Sequence, residues 1–223
     1  KTLAWQDLHR LAGDEDSYVR GDAADALGEA FSNVPDKTLA WQDLHRLAGD
    51  EDSYVRWRAA DALGESFSKV SDKTLAWQDL HRLAGDEDRR VRRQAALAVG
   101  AVFSNVPDKT LAWQDLHRLT QDDGSDVRRE AANALGEAFS NVPDKTLAWQ
   151  DLIRLTGDED SYVRGEADHS LGRATIFKAI EAVDKDAMKK ELEDAIVFFE
   201  KSSQEDAFSP ASFCGPFYRS YFA

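Results

Sequence analysis

Four histidines recur at one spacing, His9, His45, His81 and His117, each inside the string KTLAWQDLHRL. Imidazoles bind metals and carry protons, so this ladder is the first chemistry to weigh. A shared zinc needs each ring nitrogen within ~2.1 Å of the ion. The histidines come one per repeat, on helices that pack ~8–10 Å apart, so neighbouring rungs cannot share one. Ile153 fills the same slot in a fifth copy, which reads as a position bordering the core. We therefore expect structural histidines and no metal site. The acidic triplets Asp14 to Asp16, Asp50 to Asp52, Asp86 to Asp88 and Asp158 to Asp160 raise calcium next. They lack the glycine and terminal glutamate of an EF-hand loop and read as turns that cap helices. Cys214 is the only cysteine. It cannot form an intrachain disulfide, and it has no assigned histidine partner to activate it. No catalytic residue and no cofactor is expected.

The element that carries these residues is a repeat. KTLAWQDLHRL opens at Lys1, Lys37, Lys73 and Lys109, and again at Lys145 with Ile153 in the histidine slot. A fixed period of this length, with two helical patterns per copy, marks a stacked solenoid. The predicted fold is all-α, a solenoid of five helix pairs over 1–36, 37–72, 73–108, 109–144 and 145–173. A carboxy-terminal region, 174–223, is expected to cap it or to begin a further domain. Apolar content of 42 % and charged content of 31 % are those of a folded soluble chain. No apolar run approaches the ~20 residues that span a bilayer, so no membrane partner is expected. The net charge of −14 repels a phosphate backbone and argues against nucleic acid. A lone cysteine fits a reducing, cytoplasmic compartment.

The second unit shows the logic. Asp36 caps a first helix whose stripe is Ala40, Trp41, Leu44, Leu47 and Ala48, at spacings of three and four. Gly49 is expected to end it in a left-handed turn. Asp52 caps a second helix with a buried stripe of Val55, Ala59, Ala62, Leu63 and Phe67. Gly64 sits inside that helix, at a cost of roughly 1 kcal/mol against alanine. Its recurrence as Gly28, Gly100, Gly136 and Gly172 suggests close helix approach. Trp5, Trp41, Trp77, Trp113 and Trp149 lie on the apolar stripe of the first helices and are expected in the core.

Asp50, Val55-Arg56, Ala59-Ala60 and Ala62-Leu63-Gly64 spell a D…VR..AA.ALG pattern that returns in the other units. It is degraded in the third and the fifth, as Ala98-Val99-Gly100 and Ser170-Leu171-Gly172. This pattern resembles the short HEAT-like repeats of prokaryotic and archaeal proteins, including the phycobilin-lyase type. The resemblance implies that unit Asp and Arg residues bond along a spine: Asp14, Asp50, Asp86, Asp122 and Asp158 with Arg20, Arg56, Arg92, Arg128 and Arg164. It implies that second helices line a concave surface. It transfers no function, because such arrays serve many. The iron-dependent hydroxylases built from HEAT repeats carry His-Glu pairs, and this chain has none.

Differences between copies carry more information than identities. Units one and two differ at 5 of 36 positions. On the second helix the differences concentrate at the slots of Tyr18, Gly21, Asp22, Asp25 and Glu29, one helical face opposite the alanine-leucine stripe. The Tyr18 slot reads Tyr18, Tyr54, Arg90, Asp126 and Tyr162. The next reads Gly21, Trp57, Arg93, Arg129 and Gly165. The Asp25 slot reads Asp25, Asp61, Leu97, Asn133 and His169. An exposed tryptophan, an exposed leucine and an arginine cluster are not what drift on a solvated face produces, and Tyr, Trp and Arg dominate binding hot spots. Candidate partner contacts are Tyr18, Tyr54, Trp57, Arg89, Arg90, Arg93, Leu97, Arg129, Tyr162 and His169. The arginines point to a partner with an acidic segment.

Periodicity fails after Arg173. Ala174 to Val183 extend the last second helix, and Asp186 to Ser202 form an amphipathic helix with Met188, Leu192, Ala195, Ile196 and Phe199 on one stripe. An aromatic segment follows (Phe208, Phe213, Phe217, Tyr218, Tyr221, Phe222) that suits a cap. Both ends suggest a fragment of a longer protein. The first unit is expected to leave Trp5, Leu8 and Leu11 bare, a face for further repeats or for self-association. The leading reading is a non-enzymatic scaffold that binds a protein or peptide in its groove. The alternatives are an enzyme or enzyme subunit of the chromophore-lyase kind, and a structural spacer.

Overall fold

The structure, a computed structural model, describes residues 2–205, with side chains from Trp5 onward. Cys214 and the aromatic segment expected to help cap the array lie outside the described residues. Among those described there are eleven α-helices. First helices are α1 (Thr2–Leu11), α3 (Lys37–Ala48), α5 (Lys73–Ala84), α7 (Lys109–Leu119) and α9 (Lys145–Leu155). Second helices are α2 (Ser17–Ala30), α4 (Ser53–Ser66), α6 (Arg89–Val102), α8 (Ser125–Ala138) and α10 (Ser161–Ile180), and α11 (Lys185–Glu205) follows. None of these helices is long and apolar enough to cross a membrane. The chain falls into two compact units, one ending at Asp115 and one beginning at Leu116. α10 runs on past residue 173 to Ile180, the continuation expected of Ala174 onward.

Side-chain caps start the helices where the sequence places them. Asp36 Oδ1 accepts the Leu39 N–H at 3.0 Å, and Asp72 and Asp144 do the same for Leu75 and Leu147 at 2.9 Å. Asp16, Asp52, Asp88 and Asp160 cap the second helices through the N–H two residues on. Among the second helices with a described cap, α8 departs, since its cap position is Gly124, which has no side chain to accept. Gly49 ends α3 with φ of −102°, not in the expected left-handed region. Its N–H closes a tight turn onto the Arg46 carbonyl at 3.0 Å, and the carboxylate of Asp50 then shapes the next turn by accepting the Asp52 N–H at 3.0 Å.

In the amino-terminal unit, α2 lies along α4 and α4 along α6, while α3 and α5 pack on their own second helices. The glycine in the second helix makes this approach possible. A Cβ at Gly28 would stand 2.8 Å from the Ala62 Cα, and one at Gly64 would stand 3.1 Å from the Ala98 Cβ. Leu27, Leu44, Leu47, Val55, Leu63, Phe31 and Phe67 are sealed between the pairs, each burial stabilising by about 1.5–3 kcal/mol. The first unit's counterparts Leu8, Leu11 and Val19 are only half-buried. Trp5, expected bare, is buried at 8 % exposure, with its ring beside His9.

In the carboxy-terminal unit, α10 lies between α8 and α11 and also packs on α9. A Cβ at Gly136 would stand 2.9 Å from the Ser170 Cα, and one at Gly172 would stand 2.6 Å from the Phe199 ring. α11 therefore takes the place of a further second helix. Arg164 Nη2 reaches Glu205 Oε2 at 2.7 Å, where earlier arginines reach the next unit's Asp. On α11 only Ala195 and Phe199 of the expected stripe are buried, and Met188 stays exposed. No first helix follows α9 among the described residues, so Trp149 departs from its buried counterparts. It is half-buried, edge-on to Phe198 at 5.9 Å, with the Lys178 ammonium 3.1 Å from the ring centroid. Burial lowers the Lys178 pKa, against the pull of Glu191 and Asp194.

Asp168 is buried on α10 and its Oδ1 has no hydrogen-bond partner. Burial pushes its carboxyl up to about 6, against the attraction of Lys201. An acid with a folded pKa above its unfolded value of about 3.9 holds its proton more tightly when folded. Its contribution is complete below that unfolded value and is lost as pH rises through about 6. Asp168→Asn removes the ionisation. Thermal melts should show the variant gaining on wild type between about pH 4 and pH 7, and a gain independent of pH would mean that Asp168 ionises freely.

Candidate interaction face and the ladders that hold it

Two ladders of polar side chains run between successive repeats, one from the second helices and one along the first. In the first, Arg20, Arg56 and Arg128 grip the turn of the following repeat. Arg20 Nε and Nη2 donate to Asp50 Oδ2 and Oδ1, both at 2.8 Å. Arg56 grips Asp86 at 2.7 and 2.9 Å, and in the carboxy-terminal unit Arg128 grips Asp158 at 2.7 and 2.8 Å. The third nitrogen turns back to its own unit: Arg20 Nη1 donates to the Asp14 and Glu15 carbonyls, and Arg92 and Arg164 treat Asp86 with Glu87 and Asp158 with Glu159 likewise. The Arg128 Nη1 does so to Asp122 and Asp123. The arginine thus meets its own unit's Asp through the backbone and the next unit's Asp through the carboxylate. Burial pushes the Asp50 carboxyl up, but the Arg20 guanidinium and the Asp52 amide hold it below its usual range. Asp158 is held down the same way by Arg128 and the Asp160 amide.

The second ladder runs along the first helices. His9 Nδ1 lies 2.6 Å from Asp43 Oδ2, and His45, His81 and His117 repeat the contact with Asp79, Asp115 and Asp151 at 2.6 Å. The aspartates are buried while the histidines are about half-exposed. Arg46, Arg82 and Arg154 complete the site from the same helix as the aspartate, each donating to its Oδ1 and to a first-helix terminal carbonyl of the preceding unit. The histidine slot therefore does not border the core, as Ile153 suggested. Ile153 is 45 % exposed, and no further first helix among the described residues packs over that slot.

On this frame the candidate contacts divide by unit. In the amino-terminal unit Tyr18, Tyr54 and Trp57 form a continuous row, with ring centroids 5.1 and 5.7 Å apart. Tyr18 is 69 % exposed, while Tyr54 is half-buried because its ring lies on Gly21, where a Cβ would come within 2.3 Å. Trp57 and Leu97 are partly rather than fully exposed, since Trp57 Nε1 donates to Gln94 Oε1 at 3.3 Å. Arg89 and Arg90 are exposed and Arg93 is half-buried, all on α6. In the carboxy-terminal unit Tyr162 is 58 % exposed, with Arg129 rather than glycine in the preceding slot. Arg129 Nη2 donates to Glu130 Oε1 at 2.7 Å, and that bond raises the Arg129 pKa. His169 is largely covered, with its ring 5.6 Å from Phe199 of α11 and Nδ1 3.5 Å from Glu166 Oε1.

Sequence reasoning missed Arg58. Its guanidinium lies 4.6 Å from the Trp57 ring and 5.2 Å from the Tyr54 ring, and it pairs with Asp25. Its spacing was the available signal, four residues after one aromatic and next to another.

The HEAT repeats family matches residues 7–76, 44–136 and 80–172. This chain belongs to the HEAT repeat family. Among solved structures this HEAT protein is similar to an engineered protein, at 22 % identity over 91 % of this chain and 97 % of that one, with a TM-score of 0.61. It is also similar to a designed armadillo repeat protein in complex with peptide (KR)4, at 20 % identity over 97 % of this chain and 98 % of that one, with a TM-score of 0.60. A third is the complex of CpcE and CpcF of phycocyanin lyase from Nostoc sp. PCC7120, at 17 % identity over 97 % of this chain and 93 % of that one, with a TM-score of 0.58. At such identities the likeness is one of fold, the all-α solenoid. No curated protein matches the sequence.

The first ladder can be tested at its most enclosed rung. Arg56 is buried and Asp86 nearly so. Asp86→Ala would strand the guanidinium and also free the Asp88 N–H, which Asp86 Oδ1 accepts at 2.9 Å. Breaking a buried pair costs about 3–5 kcal/mol, against ~0.2–1 for an exposed one. Denaturant melts should show a loss near the lower end of the buried range. Coincident melts for variant and wild type would reduce the ladder to a surface ornament.

Proposed function

We propose that this HEAT protein is a non-enzymatic scaffold whose second-helix faces hold a protein or peptide segment. The observation that carries the reading is the row of Tyr18, Tyr54 and Trp57. It stands at the positions where the copies diverge, it reaches solvent, and it is rigidly seated on α2 and α4. Large aromatic side chains on fixed helices lose little entropy on binding and are favoured as anchors. Leu97, Arg89, Arg90 and Arg93 extend the face on α6, and an acidic stretch of the partner would meet those arginines. Arg129 and Tyr162 offer a comparable pair on the other unit. His169 is left out of the contact set because α11 covers it. A cytoplasmic location suits the single cysteine.

The fold of designed peptide-binding repeats supports this reading. With a partner captured by pull-down and then purified, Trp57→Ala should weaken the complex by more than ~1 kcal/mol in calorimetry, the threshold of a significant interface residue. Unchanged affinity would remove the row from the contact.

A second interaction is proposed at the outer side of α1 and α2. Leu8, Leu11 and Val19 are half-exposed there, while Leu44, Leu47 and Val55 are sealed. Pairing of this face with its counterpart on a second copy would cover these side chains and give a closed dimer. Light scattering should find a concentration-dependent dimer that Leu8→Glu abolishes. A monomer at all concentrations would refute it.

A further inference from the structure

The scaffold reading leaves the chemistry of the bound segment open, and the surroundings of the aromatic row narrow it. Arg58 is a cation already captured there. Its guanidinium faces the Trp57 and Tyr54 rings at 4.6 and 5.2 Å, its Nε donates to Tyr54 Oη at 3.1 Å, and it pairs with Asp25. Tyr54 Oη in turn donates to Asp22 Oδ1 at 3.2 Å. A guanidinium over an aromatic face with a carboxylate at its edge is a strong mode of arginine recognition.

One arginine does not balance the charge around it. Asp22, Asp25 and Glu29 project from α2, and Asp61 and Glu65 from α4. These carboxylates feel one another. Burial pushes Asp25 up to about 6, Arg58 opposes the shift, and Asp61, Asp22 and Glu29 add to it. Burial likewise raises Glu65, with Asp61 and Glu29 adding. Asp25 Oδ1 is shielded from solvent and accepts no hydrogen bond. Meanwhile the Tyr18 ring, beside Tyr54, remains open to water with no arginine of its own unit in the Arg58 slot, which holds Asp22.

We propose that the α2–α4 face binds a basic segment of a partner protein, whose arginine or lysine side chains pack on the open Tyr18 ring and pair with Asp22, Glu29, Asp61 and Glu65. This rests on the scaffold reading and names the partner's chemistry at one part of the face. Arg58 shows the mode with a side chain of the protein itself. The exposed Arg89 and Arg90 on α6 repel a basic segment at that end, so the surface also sets the direction in which the segment lies. The acidic stretch expected from the arginines would belong beyond the basic one.

The test uses the intact chain and three fluorescent peptides of equal length: one of lysine and arginine, one of serine and glycine, and one of glutamate and serine. Anisotropy should show the basic peptide bound well above the neutral one. Asp22→Asn with Glu29→Gln, both at exposed positions, should weaken it about tenfold, which is roughly 1.4 kcal/mol. Glu87→Gln with Glu159→Gln removes the same charge from side chains that are 92 % and 89 % exposed elsewhere, and should change it little. Equal loss in both double variants would mean general attraction to an acidic protein and would overturn the proposal. So would no binding of the basic peptide. Binding of the acidic peptide alone, lost in Arg90→Glu, would overturn it while leaving the scaffold reading standing.

Discussion

A buried carboxylate must find donors, and in this protein it finds them in the neighbouring unit. Asp43, Asp79, Asp115 and Asp151 are nearly inaccessible, and leaving any one unpaired would cost several kcal/mol. Each is met by the preceding unit's histidine, and Asp43, Asp79 and Asp151 also by the arginine one turn along their own helix. The same arginine closes the preceding first helix by taking its last free carbonyl. One site therefore ends a helix, sets the register between first helices and satisfies a charge. The Arg20–Asp50 and Arg56–Asp86 forks do the same for the second helices. Within each compact unit these bonds hold the helices from the turns and the first helices, so the outward side of the second helices can vary without breaking them.

How much of this was legible depended on whether the partner lay within the unit or beyond it. The stripe Ala40, Trp41, Leu44, Leu47 and the caps Asp36 and Asp52 are local, and periodicity and capping rules suffice for them. The recurrent glycine gave fair warning of close helix approach. Asp43 did not register, although its spacing of three from Ala40 and four from Leu47 puts it on the apolar stripe. A carboxylate there should prompt a search for a buried donor. The histidine's role was hidden for the same reason: its acceptor lies 34 residues on, and only stacking brings the two together.

Where the repeat stops, sequence rules misled in a consistent way. Trp149 and Ile153 occupy slots whose environment is supplied by a following first helix. α11 supplies a second helix instead, as Gly172 against Phe199 shows. Trp149 is left half-covered and relies on Phe198 and Lys178, and Ile153 replaces a histidine that would have had nothing to bond. His169 looked like a groove residue by slot, but α11 lies across it. In each case the identity of the slot was right and the neighbour assumed for it was wrong.

The divergent face is also constrained, and the constraint couples adjacent copies. Tyr54 lies flat because Gly21 has no Cβ; any side chain at 21 would begin 2.3 Å from the ring. The tryptophan that unit two carries at 57 therefore could not stand at 21 while Tyr54 keeps its place. Where the slot is filled, as by Trp57 or Arg129, the residue that follows in the next copy's tyrosine slot is Arg90 or Tyr162, and both are exposed. The choice at 21 is thus tied to the side chain of the next repeat. The glycine at 21 lets Tyr54 lie down and join a row. The Tyr18, Tyr54 and Trp57 row, with Arg58 tucked against it, is the outcome of that pairing. That dependence on a neighbour's missing side chain is why the face is read from the stack of units and not from any unit alone.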